Sequence, residues 1–343
     1  MRKFLLTTTA LITAATLSTG ALADVTITGG MEFTYEDLDS PLNATGDSGT
    51  NFRSDNFVYF RFENKTDSGL TIGMVQDIRS VADSTSTAAI SDENFIYIKG
   101  GFGEVQLGNK EGAGDKLTVS ASDLAGPDST TDNGSGMTGG TQSATINLMA
   151  NNADLPGAIG DQNNITYMLP TMGGLTIGAS YMDAGQGAAA NADVTTVGAR
   201  YAFESGAVTG SIHYGNSNKG GASAGDSSLN SDSMGLKIAS GPFTAVVAKA
   251  TSDYSSAITT SIVDYGVSYD LGNGITLAAV GTQVDENTGG EKSDITTVSA
   301  KYNIASGLDA YLTYHDYDYE DGTTGTTADD DGSKTLVTIV TKF

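Results

Sequence analysis

Beyond about residue 24 the chain alternates, with apolar side chains at every second position. The alternating segments approach the roughly 9–11 residues that a tilted strand needs to cross a bilayer. One set of predicted strands ends at a short turn: Asn51–Asn64, Val194–Glu204, Ser233–Ser240, Val263–Gly272 and Ile295–Ala305. A complementary set starts just after it: Leu70–Arg79, Val208–Gly215, Phe243–Ser252, Ile275–Asp285 and Leu308–Tyr317. The turns between them carry residues suited to tight reversal, such as Asp67-Ser68-Gly69, Gly272-Asn273-Gly274 and Ser306-Gly307. Adding Val25–Leu38, Glu93–Gly100, Gly103–Asn109, Asn163–Leu169, Leu175–Met182 and Thr335–Phe343 brings the predicted total to sixteen. An even count suits a single-chain bacterial barrel, as do tight turns at one end and long polar loops at the other. The expected fold is therefore all-β, a sixteen-stranded antiparallel transmembrane barrel.

A repeat identifies the two faces. Gly198-Ala199-Arg200-Tyr201, Gly235-Leu236-Lys237-Ile238, Gly266-Val267-Ser268-Tyr269 and Ser299-Ala300-Lys301-Tyr302 share one pattern: small, apolar, polar, then aromatic or aliphatic. Period two puts Val197, Ala199 and Tyr201 on one face, and Thr196, Gly198 and Arg200 on the other. Arg or Lys facing lipid near the midplane costs about 2–4 kcal/mol, so the apolar face points outward. Tyr201, Tyr269 and Tyr302 then fall near the short-turn rim, as an aromatic girdle would. Lipid supplies no hydrogen-bond partners, so the first strand must meet the last. A chain ending on Phe343 at the apolar parity fits that seam.

The leader is separate. Arg2 and Lys3, the apolar stretch from Phe4 to Leu17, and Ala21-Leu22-Ala23 together read as a secretory signal peptide, residues 1–23, cleaved to begin the barrel, residues 24–343, at Asp24. Its removal takes two of the 17 basic residues and none of the 41 acids, leaving a formal charge of −26 on the remainder. Such acidity disfavours nucleic acid as a partner. Cysteine is absent, which excludes disulfides and thiolate metal sites and suits passage through an oxidising compartment.

Several stretches resemble a known family: Asn51-Phe52 through Thr66-Asp67-Ser68-Gly69-Leu70, Gly101-Phe102-Gly103-Glu104 with Leu107-Gly108, the strand around Tyr167, Tyr265-Gly266-Val267-Ser268-Tyr269-Asp270-Leu271-Gly272, and terminal Phe343. In order and spacing the chain resembles the general bacterial outer-membrane porins, most closely the Rhodobacter-like porins of alphaproteobacteria. The resemblance implies a homotrimer in the outer membrane, with a long third loop folded into the lumen and acidic loop residues facing a basic wall. The longest stretch without alternation, residues 110–162, stands where that loop belongs and offers Glu111, Asp115, Asp123, Asp128 and Asp132. Basic wall candidates of inward parity are Arg53, Arg61 and Arg79, with Arg200, Lys237 and Lys301 from the repeat. The chain departs from its relatives at Asp55 and Phe57, where arginines are expected, and lacks the PEFGG-like loop signature of enteric porins. A thinner basic wall biases the pore toward cations.

Other chemistry is sparse. His213 and His315 are the only histidines, too few for most histidine metal sites. His315 beside Asp316 raises a barrel hydrolase as one rival, but no serine stands in a nucleophile elbow. Asp316, Asp318, Glu320, Asp321 and Asp329-Asp330-Asp331 form an acidic region whose oxygen ligands would suit Ca²⁺. They have no EF-hand spacing, and the resemblance implies calcium without assigning a site. The main rival is an exported acidic β-rich surface protein that binds divalent cations and has no lipid-facing stripe. The leading expectation is a non-enzymatic, water-filled channel without a cofactor. It would pass small hydrophilic solutes and ions with a weak cation preference, and its other neighbour would be outer-membrane lipid.

Overall fold

The structure, a computed structural model, describes residues 23–39, 49–82, 87–127, 153–160, 162–183, 192–220, 228–254, 258–287, 290–320 and 330–343. The predicted leader lies outside them except for Ala23. The strands are β1 (Asp24–Asp39), β2 (Gly49–Lys65), β3 (Thr71–Ala82), β4 (Thr87–Gly100), β5 (Gly103–Lys110), β6 (Gln162–Met168), β7 (Leu175–Met182) and β8 (Val194–Ser205). The second half comprises β9 (Val208–Lys219), β10 (Leu229–Ser240), β11 (Phe243–Tyr254), β12 (Thr259–Gly272), β13 (Ile275–Glu286), β14 (Lys292–Ala305), β15 (Leu308–Glu320) and β16 (Asp330–Lys342). Each strand pairs with its neighbours in the chain, and β1 pairs with β16, closing a sixteen-stranded antiparallel barrel. β4 begins before Glu93 because Ser91, which interrupts the apolar alternation, still pairs with Ile78 of β3.

Closure continues past the last strand. The Phe343 amide donates to the Gly29 carbonyl at 2.8 Å, and the Gly29 amide donates back at 3.2 Å. No sheet edge remains to meet hydrocarbon. At the short-turn end, the β12–β13 reversal takes φ of 78° at Gly272, 55° at Asn273 and 82° at Gly274. Glycine and asparagine tolerate this left-handed region best, which explains the Gly-Asn-Gly sequence.

The faces separate as the alternation requires. Val197 and Val298 are 43% and 46% exposed on the outer surface, while their neighbours Thr196 and Ser299 are 0% and 8% exposed inside. Buried side chains include many hydroxyls, among them Thr166, Ser231, Ser233 and Thr297. That reverses the usual soluble pattern. Near the short-turn rim Tyr201 stacks beside Phe203 and Tyr269 packs edge-on against Phe243, with Tyr302 exposed at a similar level. The rival surface protein has no use for such an outer belt. His315 and Asp316 also fall on opposite faces: His315 is buried and shares a hydrogen bond with Thr297 Oγ1 at 2.8 Å, while Asp316 is exposed outside. They cannot act as a pair.

Candidate pore constriction

Glycine and hydroxyl residues of inward parity on β7 to β12 form a shallow bed, and the chain following β5 lies along it. A short helix, α1 (Ala113–Lys116), packs on β7, β8 and β9, and a 3-10 turn, Ala121–Leu124, packs on β11, β12 and β13. The close approach requires small wall residues. A Cβ on Gly198 would stand 2.6 Å from the Ala113 carbonyl oxygen, and one on Gly235 would stand 2.6 Å from that of Val119. At Gly198 and Gly235 the repeat's small position is thus where loop backbone meets wall backbone.

Wall side chains then satisfy the loop's backbone groups, which a strand ladder would otherwise do. The Ala113 amide donates to Ser180 Oγ at 2.7 Å, and the Gly114 amide to Thr196 Oγ1 at 3.3 Å. The Val119 amide donates to His213 Nδ1 at 3.0 Å, so this network assigns the His213 proton to Nε2, 3.1 Å from Ser233 Oγ. Asp264 of β12 receives both limbs of the loop. Its Oδ2 accepts from Ser120 Oγ at 2.6 Å and from the Ala153 amide at 3.3 Å. On the returning limb, Ser217 Oγ donates to the Gly157 carbonyl at 2.7 Å, and the Gly112 amide donates to Ile159 O at 2.7 Å. Apolar contacts complete the seat: Val119, Ala121 and Ala125 with Val246 and Val280, and Ile159 with Met182 and Val194.

The sequence-derived candidates fall into separate groups. Glu111 and Asp123 are exposed on the loop, and Asp115 lies in α1, where its carbonyl accepts from the Thr118 amide and hydroxyl. Asp128 and Asp132 lie outside the described residues. Although Asp123 is exposed to the lumen, the protein mass around it limits the water that can solvate its charge; this desolvation pushes the carboxyl above the usual range, and Lys237 and Arg200 pull it down only in part. The bases that answer this loop acid are thus on β8 and β10, on the side where the loop is seated. Arg53, Arg61 and Arg79 form another bank on β2 and β3, with inward parity as expected. Arg79 is engaged by its own wall, with Nε 3.0 Å from Asp77 and 2.6 Å from Asp92. Lys301 pairs with Asp309 at 3.0 Å, while Arg200 Nη2 donates to Ser211 Oγ at 3.4 Å.

Sequence reasoning missed Asp264, His213, Lys99, Glu104 and Lys116. Asp264 had a readable signal, an acid at inward parity between the strand's apolar residues. Among the described residues no three His, Asp or Glu side chains gather as metal ligands; Asp321 and Asp329 of the acidic region lie outside the described residues.

A closed sixteen-stranded barrel with an apolar outer belt and a loop seated in a polar lumen defines a porin-type barrel of the bacterial outer membrane. The family model for Gram-negative porins matches residues 7–322, and the chain belongs to that family. No curated protein sequence matches it. Among solved structures, the anion-selective porin from Comamonas acidovorans is 16% identical with a TM-score of 0.62, covering 94% of this chain and 100% of its own. A variant of the Rh. blastica porin is 13% identical with a TM-score of 0.64, covering 93% and 100%. OmpT of Vibrio cholerae, described in a trimer form, is 12% identical with a TM-score of 0.63, covering 94% and 100%. At these identities the likeness is one of fold.

Proposed function

We propose that this protein is a passive diffusion channel for small hydrophilic solutes and ions, weakly cation-preferring, and that it works as a homotrimer surrounded by outer-membrane lipid. The seated loop is the observation that carries this reading. It narrows a barrel whose strand number otherwise leaves a wide aqueous channel, and screening by size and charge needs such a narrowing. No covalent step or cofactor enters. The trimer rests on the family and on the trimeric form of the Vibrio cholerae neighbour.

Charge is stacked along the axis. Around the long-loop rim the strands carry Asp193, Asp232, Asp253, Asp285, Asp316 and Asp318, at outward parity. Deeper inside, Lys237 and Arg200 offset Asp123 of the loop, while Lys301 is paired with Asp309 on its own wall. An acidic rim around the entrance raises the local cation concentration and a mixed interior weakens the bias, so the preference is expected to be small. Under a KCl gradient in a planar bilayer the reversal potential should carry the cation sign, and an anion sign would defeat this part of the reading. Absence of discrete conductance steps would defeat the channel itself.

Asp123 adds a pH dependence. Its folded value lies above the unfolded one, so the folded chain binds this proton more tightly. The group's contribution to stability is therefore fully present at low pH and is lost as pH rises through the folded value. Conversely, acidification from pH 7 should neutralise Asp123 before an ordinary aspartate, which titrates near about 3.9. The reversal potential should move toward anions over that early range. Asp123→Asn should show the shift already at pH 7 and a flatter early titration; a profile matching the unmodified protein would remove Asp123 from the ion path.

A further inference from the structure

Below the seated loop, toward the short turns, the lumen holds a cavity of about 500 Å³ that takes no part in seating the loop. Its wall includes Arg61 of β2, Tyr97 and Lys99 of β4, Glu104 of β5 and Lys116 of α1. Lys99 and Glu104 flank the tight β4–β5 turn, which places the cavity at the short-turn mouth.

Tyr97 is a fixed platform. Its ring lies across Gly73, where a Cβ would stand 2.2 Å from Cζ, and its hydroxyl donates to Glu63 Oε2 at 2.8 Å. Two cations converge on that ring, with Arg61 Cζ and Lys99 Nζ each 5.8 Å from its centroid. Both distances lie within cation–π reach. Lys99 is paired with Glu104 at 3.0 Å. Arg61 and Lys116 are both exposed to the cavity, and neither makes an ion pair among the described residues. Arg79, by contrast, has its charge answered by Asp77 and Asp92. Phe95 and Pro170 supply apolar wall beside the charges.

We propose that this cavity is a binding subsite for small organic anions: a carboxylate or phosphate head held between Arg61 and Lys116, with an apolar or ring-bearing body against Tyr97 and Pro170. A guanidinium donates two parallel hydrogen bonds to such an oxyanion, and the apolar wall selects organic anions over chloride. An occupant bridges loop and wall, so it obstructs current. The subsite rests on the channel reading above and would let an acidic, weakly cation-preferring pore retain selected anions at its inner mouth.

The test uses the full protein in a planar bilayer in KCl, with benzoate, phenyl phosphate or benzyl alcohol added on the short-turn side. Benzoate or phenyl phosphate should block saturably, and the stronger of the two identifies the preferred head group. Benzyl alcohol should not block. The double variant Arg61→Gln/Lys116→Gln should raise the half-blocking concentration about tenfold or more, as expected for losing charge-assisted contacts. Lys249→Gln, on the outer face, should leave it unchanged. Equal block in the double variant, or equal block by benzyl alcohol, overturns the subsite. If the unmodified protein shows no conductance steps, the channel reading fails, but calorimetric titration of benzoate into detergent-solubilised protein still reads the cavity. Saturable heat lost in the double variant supports the subsite, and absence of saturable heat overturns it.

Discussion

Asp264→Ala should turn a steady open-channel current into one that fluctuates between levels, while leaving the barrel assembled. The carboxylate is fully buried and accepts from the Ser120 hydroxyl and the Ala153 amide, so one side chain fastens the outgoing and returning limbs of the loop to β12. Hydrogen bonds to a charged acceptor contribute about 1.5–3 kcal/mol each, and alanine also leaves the donors unsatisfied. A local loss of even about 3 kcal/mol lowers the ratio of seated to unseated loop by roughly a hundredfold. Ser180, Thr196 and His213 still hold the segment from Ala113 to Val119, so release should be confined to the stretch beyond it. Asp264→Asn retains an acceptor oxygen and should show a smaller effect. Current noise, with protease cleavage between residues 120 and 127 read in parallel, checks this. Unchanged noise and unchanged protection in Asp264→Ala would mean that the loop is held by its apolar contacts alone.

Val298→Arg should destabilise the barrel in a bilayer by about 2–4 kcal/mol, the cost of a bare guanidinium on the lipid face near the midplane. Val298 lies at the middle of β14, exposed between Ala279 and Tyr314 of the neighbouring strands. Thr244→Arg, at inward parity on β11 and only partly buried, should cost less than about 1 kcal/mol because water in the lumen solvates the charge. Denaturant titration of folding into vesicles measures both. Equal costs would refute the assignment of the faces.

Much of this architecture could be read locally. Strand alternation has a period of two, so Val197 and Thr196, or Val298 and Ser299, declare opposite faces without knowledge of any other strand. Gly272-Asn273-Gly274 marks its turn because its backbone conformation favours those residues. The loop's place after β5 was legible as a loss of alternation, but its attachment was not. Asp264 reads as an isolated inward acid until Ser120, 144 positions away, is brought to it. Gly198 and Gly235 likewise read as merely small until loop backbone is laid across them.

The sequence by itself therefore determined the barrel: the number of strands, their faces, the closing seam and the end that carries long loops. All of these follow from short-range periodicity and turn chemistry acting against the cost of exposing polar groups to hydrocarbon. Only the tertiary structure decided how charge is used inside. It engaged Arg79 with Asp77 and Asp92, brought Asp123 within electrostatic reach of Lys237 and Arg200, and left Arg61 and Lys116 without an ion pair on the cavity that Tyr97 lines. The reason is that electrostatic pairing depends on distances between strands and loop that alternation along one strand does not encode.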